Sequence, residues 1–176
     1  MKTLKSIIAG CIMMVVFTGV SQTQEDKRIM NDADKAKAKL IKTNVAIKEY
    51  FKNASGYVIF PNVGKGGLIV GGASGNGVVY EKGSAIGMAD LKKLNIGLQA
   101  GGQVIIEVIF FETDAALEEF KRGEYQFSAE LSAVALESGR ALNANYNDGV
   151  VVYAMPKAGL MADVSVGGQK FTYHPF

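Results

Sequence analysis

The chain has 176 residues, of which 48% are apolar and only 20% charged; this suits one domain with a real core and excludes a disordered polymer. Its formal net charge is +2, and no apolar run approaches the roughly 20 residues of a membrane-spanning helix. One histidine and one cysteine cannot assemble a His/Cys metal cluster, and the histidine, at position 174 near a terminus that is free to fray, makes no credible Ser-His-Asp site.

The N-terminus reads as an export signal. Met1 to Lys5 carries two lysines, Ile7 to Val20 is an apolar run too short and wrongly flanked for a membrane helix, and Gly19 to Ser21 offers small residues for cleavage. Cleavage is expected after about Ser21, giving a periplasmic or secreted protein. Ile8 to Cys11 has the look of a lipobox, but the apolar segment continues through Ile12 to Phe17 and argues against a lipoprotein. Removal of Lys2 and Lys5 takes the formal charge to zero, and loss of Cys11 leaves no thiol. The expected organisation is a signal peptide over 1–21, a helical segment over 22–53 and a β-rich domain over 54–176.

Glu25 to Asn53 is predicted as one long amphipathic helix. At 100° per residue Ile29, Ala33, Ala36, Leu40, Ile47 and Phe51 share a face, and Arg28, Lys35, Lys39 and Lys42 form a stripe roughly 120° away. Such a helix either lies on a membrane with its lysines on lipid phosphates, or packs on a sheet with its lysines solvated. Four basic residues contribute only roughly 4 kcal/mol at an anionic surface, so charge alone supports weak, salt-sensitive attachment.

From Gly56 to Gly83 strand-forming residues alternate with a density of glycine that marks bends, bulges or close approaches. Asn76-Gly77 is the expected hairpin turn. Tyr57 to Pro61 followed by Lys65 resembles Val152 to Pro156 followed by Lys157, and each copy runs on through Gly-Leu to a Gly-Gly pair. A third pair, Gly101-Gly102, sits on another apolar strand. Similar strands from early and late in the chain suit one sheet curled on itself. The glycines lack the spacing of a phosphate loop or of a dinucleotide fingerprint.

Ala85 to Asp90 is a predicted strand, Leu91 to Leu94 a lysine-bearing turn, and Ile96 to Phe111 a long strand or bent pair, central because it is apolar on both faces. Glu107 within it needs partners or a raised pKa, as a site or as a structural group. Asp114 to Arg122 is a short helix stopped by Gly123. Phe127 to Glu137 fits helix by composition and strand by alternation. Ser138 to Asp148 is a loop, and Val150 to Met155, Leu160 to Val166 and Lys170 to Tyr173 close the sheet.

The blocks IFPNVGKGGLIVGG, GLQAGGQV and YAMPKAGLMADVSVGG resemble, in wording and order, the SYLF domain, and the resemblance runs from roughly Asp34 to Tyr173. It places a strand at Phe127 to Glu137 and matches Gly139-Arg140 to a pair frequent in that family. The resemblance implies a domain that binds anionic phospholipid, and actin filaments in the eukaryotic adaptor proteins; the lack of catalytic motifs, with Glu107 the only foothold for an enzyme, makes the expectation a non-enzymatic domain without cofactor. The export signal and the lack of an adjoining adaptor module argue against actin and phosphoinositides as partners here. Lipid contact through a basic N-terminal helix would fall on Arg28, Lys35, Lys39 and Lys42. Lys65 and Lys157, in equivalent places of the two similar segments, are further candidates to cradle a head group, or else solvated turn lysines. The expectation is an α+β fold with a curled, largely antiparallel, barrel-like Gly-rich sheet. Its role is lipid binding at the cell envelope, with a structural or protein-interaction module as the alternative, in which the Gly-rich face receives a partner's strand.

Overall fold

The computed structural model describes residues 23–66, 70–96, 102–123, 133–138, 145–158, 166 and 168–176, with backbone alone for 65, 66, 70, 71, 94–96, 102 and 158. The signal segment with Cys11, the Gly-Leu steps of both similar segments, Gly101, most of Phe127 to Glu137, Gly139-Arg140 and Leu160 to Ser165 lie outside the described residues.

Helices α1 (Gln24–Thr43) and α2 (Ile47–Asn53) lead into strands β1 (Gly56–Gly66), β2 (Val70–Glu81), β3 (Ser84–Ile96) and β4 (Gly102–Phe111). Helix α3 (Asp114–Lys121), β5 (Val134–Ala135), β6 (Val150–Ala158) and β7 (Lys170–Pro175) follow. The strands form one sheet in the order β5-β6-β4-β1-β2-β3-β7. Its pairs are antiparallel except β5 with β6. The α+β, mostly antiparallel expectation holds, but the sheet does not close, since β5 and β7 remain its two ends. It is bent all the same. Rows three strands apart in a flat sheet stand about 14 Å apart, yet the rings of Phe60 in β1 and Phe171 in β7 are 5.9 Å apart.

Strand alternation divides the core between the two faces. Tyr57, Ile59, Val78, Val108 and Tyr153 face α1 and α2, while Val58, Phe60, Ile109, Val152 and Phe171 face α3. The two similar segments occupy β1 and β6, which flank β4 and run parallel to each other because each is antiparallel to it. Their prolines sit at register shifts, Pro61 between Phe60 and Val63 and Pro156 beside the shift opposite Val104 and Ile105. Proline has no N–H to give a ladder, so a bulge is where a central strand accommodates it.

Three local expectations are corrected. The long helix is broken at Asn44, whose Oδ1 accepts from Ala46 N at 3.1 Å and whose Nδ2 donates to the Glu137 carbonyl at 3.3 Å. An asparagine side chain competing with the helical ladder in this way ends α1 and lets α2 set Ile47 against the sheet. Asn76-Gly77 makes no turn and lies within β2, paired with Asp90 and Ala89. The hairpin turns at Lys82-Gly83, with φ of 49° and 83°, the two positive values of a type I′ turn. Leu91 to Leu94 likewise continues β3 opposite Gly75 to Gly72.

Gly77 has another reason to be glycine. A Cβ there would lie 2.6 Å from the Phe60 ring and 2.7 Å from the Ile59 carbonyl oxygen. Gly77→Ala is expected to cost about 1–3 kcal/mol by overpacking, read as a lower denaturant midpoint; an unchanged midpoint would show that the sheet yields freely there.

Candidate functional site

Helix α1 starts from a capping box, Asp26 N to Thr23 Oγ1 at 3.1 Å and Thr23 N to Asp26 Oδ2 at 2.8 Å. Ile29, Ala33, Ala36 and Leu40 are buried against the sheet, so the packed arrangement is the one observed. Burial of Ile29 and Leu40 in α1 and of Ile47 in α2 contributes about 1.5–3 kcal/mol each. Their sum is at least as large as the attraction of four basic residues to a membrane, so the layer of α1 and α2 stays docked.

The rotation of α1 is fixed by Lys37. Its Nζ donates to Tyr57 Oη at 2.7 Å and sits 4.7, 4.8 and 5.9 Å from the ring centres of Phe51, Tyr57 and Tyr80. This lysine was missed in the sequence because its 100° position borders the apolar stripe without belonging to it; an aromatic-rich β1 and β2 opposite was the available signal. Lys37→Met keeps the stem and loses the ammonium. The variant is expected to be about 1–2 kcal/mol less stable, by chemical denaturation, and to bind vesicles like wild type.

With Lys37 turned to Tyr57 and Tyr80, the predicted stripe occupies the opposite flank. The helix crosses the strands: Ile29 lies near Asn76 and Met88, and at the other end Thr43 Oγ1 donates to Met155 Sδ at 3.3 Å. Tyr57 and Tyr80 are close to the Lys82-Gly83 turn, so the flank with Arg28, Lys35, Lys39 and Lys42 faces the other end of the strands. All four are exposed. Arg28 is 3.6 Å from Glu25 and Lys35 3.8 Å from Asp32, exposed pairs of little net worth. From Lys35 to Lys42 the helix holds four lysines and no acid.

At that end of the sheet a cleft of about 780 Å³ opens, lined by Gly64, Gly72, Ser74, Lys92, Gly168 and Lys170 among others. Register places Ser74 opposite Lys92 and Lys92 opposite Lys170. Ala73 and Lys93 line the cleft as well, although alternation turns them toward the α3 face, where Lys93 is 8% exposed. None of Ser74, Lys92 and Lys170 was singled out in the sequence, since their meeting depends on a register between segments nearly eighty residues apart.

Of the other candidates, Lys65 lies in β1 paired with Ala73 and Gln103, and its side chain is not among the described atoms. Lys157 is exposed on β6, two strands from β1, and its Nζ donates to Asn62 Oδ1 at 2.6 Å. The two lysines therefore share one end of the sheet, with β4 between their backbones. Glu107, fully buried on the α3 face, accepts from Gln169 Nε2 at 3.1 Å through Oε2. Among the described residues no three His, Cys, Asp or Glu side chains gather as a metal site, and no helix is long and apolar enough to cross a membrane.

The class of structure is an N-terminal helical layer on an open, mostly antiparallel sheet, with basic groups gathered at one end. Residues 92–174 match the model of the SYLF-type family described as "Ysc84: Las17-binding protein actin regulator". The match includes Lys92, Lys157 and Lys170 and begins after α1. The chain is also similar to beta cell expansion factor A of Aeromonas veronii, 29% identical over 141 residues, which are 79% of this chain and 53% of that protein. The chain thus spans about half the length of the curated relative it matches.

Proposed function

We propose that this is a non-enzymatic domain, exported by its N-terminal segment, that attaches to anionic phospholipid at the cell-envelope surface through the docked helix α1. The observation that carries the reading is the geometry of α1. Its apolar face is consumed by the sheet, and Arg28, Lys35, Lys39 and Lys42 project together from one flank. The family match supports a lipid- or actin-regulator-type binding role at the coarser level. Attachment through cations alone is weak, reversible and screened by salt.

The test is sedimentation of the chain with neutral phosphatidylcholine vesicles and with phosphatidylglycerol vesicles at low and high salt. The expected result is binding to the anionic vesicles alone, lost at high salt. Absence of sedimentation with either vesicle would overturn the lipid reading and favour a protein partner, the kind of role that the family description names. For such a partner the Gly-rich strands offer no edge, because β1 and β2 are each paired on both sides; an added strand would have to join one of the two ends, β5 or β7.

A further inference from the structure

We propose that the cleft at Ser74, Lys92 and Lys170 is a phosphate-binding site, for the phosphate of a lipid head group or for a free phosphate compound of similar size. The site extends the membrane reading but does not depend on it, because its residues belong to β2, β3 and β7 and not to α1. Lys92 and Lys170 stand directly opposite each other on adjacent antiparallel strands. Side chains so placed have Cβ atoms about 5 Å apart, and like charges there are destabilising. Both lysines are exposed, and neither has a carboxylate within 4 Å among the described residues. Folding requires lysine at neither position, since any polar residue serves on a solvated strand face. A bound anion converts the repulsion into attraction shared between two ammonium groups.

The surroundings fit that occupant. Ser74, on the other side of Lys92, adds a hydroxyl donor, so one row across three strands presents a hydroxyl and two ammonium groups over about 10 Å. The carboxylate one row away, Asp90, is turned to His174 Nε2 at 3.1 Å. A Cβ at Gly64 or Gly168 would meet no atom within 4 Å, so both positions look onto open space. The volume of about 780 Å³ exceeds a bare phosphate and suits a head group carrying one. The basic flank of α1 faces this end of the sheet, which places a membrane-bound domain with its cleft toward the same charged surface.

The experiment is calorimetric titration of the full chain with inorganic phosphate and with glycerophosphoglycerol, the soluble head group of phosphatidylglycerol, beside phosphatidylglycerol vesicle sedimentation. Three proteins are compared: wild type, Lys92→Gln/Lys170→Gln, and the variant with Arg28, Lys35, Lys39 and Lys42 changed to Gln. Saturable binding of a soluble anion is expected, weakened roughly tenfold or more by the cleft variant and left nearly unchanged by the α1 variant. Thermal melting of the cleft variant, with both lysines exposed, checks that its fold is intact. Tighter binding of the head group than of phosphate, with weaker vesicle attachment in the cleft variant, identifies a lipid. Equal binding of the two soluble anions, with vesicle attachment unaffected, identifies a free phosphate compound. The proposal is overturned if no soluble anion binds saturably, or if the cleft variant binds as wild type does. Failure of vesicle attachment alone overturns the α1 reading and leaves the cleft standing.

Discussion

Replacing Arg28, Lys35, Lys39 and Lys42 together by Gln is expected to weaken attachment to phosphatidylglycerol vesicles at low salt by roughly 100-fold or more. Each basic residue near an anionic surface contributes about 1 kcal/mol, and each 1.4 kcal/mol is a factor of about ten. Arg28 and Lys35 contribute less than Lys39 and Lys42, since each exchanges an exposed carboxylate partner for a lipid phosphate. High salt should remove most of the wild-type advantage, because at 1 M the screening length is only about 3 Å. The four positions are exposed, so the variant should melt as wild type does. A variant that sediments as well as wild type would place the lipid contact elsewhere, with Lys65, Lys157 and the Lys92–Lys170 row the next positions to change.

The second large effect is alkaline unfolding. Burial, and after it the neighbouring Asp34 and Tyr57, pushes the Tyr80 hydroxyl well above the ordinary tyrosine range. Burial followed by the Tyr50 hydroxyl does the same to Tyr153, and Tyr146 is pushed up to about 12, chiefly by burial. A folded pKa above the unfolded value means that this stability is fully present below about pH 10. It is lost as pH rises toward the folded values, because the unfolded chain ionises first. The slope is about 1.4 kcal/mol per pH unit for each fully shifted tyrosine, less for the partly exposed Tyr146. A steep fall in denaturant midpoint from about pH 10 upward is expected, and Tyr153→Phe should make it shallower. A midpoint flat to pH 12 would mean that these hydroxyls are hydrated in the native state.

Tyr80 and Tyr153 lie on β2 and β6, and much of the fold is legible from the apolar periodicity of its helices and strands. Of the predicted apolar stripe Ile29, Ala33, Ala36, Leu40 and Ile47 are buried and Phe51 is half-buried, and the helix over Asp114 to Lys121 starts and ends where its caps predict. The errors arise where a side chain acts against its usual statistics. Asn44 reads as an ordinary helix-surface residue until its amide finds Glu137, far along the chain. Lys82 is a poor advertisement for positive φ, and the sequence signal for the turn falls on Asn76-Gly77, whose glycine instead leaves room for Phe60. The basic flank of α1 was visible as a helical wheel. Whether it or the sheet claimed the apolar face depended on relative magnitudes, and its direction depended on Lys37 meeting Tyr57. The row Ser74–Lys92–Lys170 was not legible, because Leu91 to Leu94 looked like a turn and strand register is a tertiary fact.

The most direct test of the account asks which face of the docked domain meets the lipid. In a Cys11→Ser background, single labels are placed at Ala38→Cys, on the exposed side of α1, and at Ala115→Cys, exposed on α3 behind the sheet. Both substitutions leave every lysine in place. Fluorescence is read with phosphatidylglycerol vesicles carrying a headgroup quencher. Strong, salt-reversible quenching is expected at position 38 and little at position 115. Equal quenching at the two positions, or stronger quenching at 115, would contradict it.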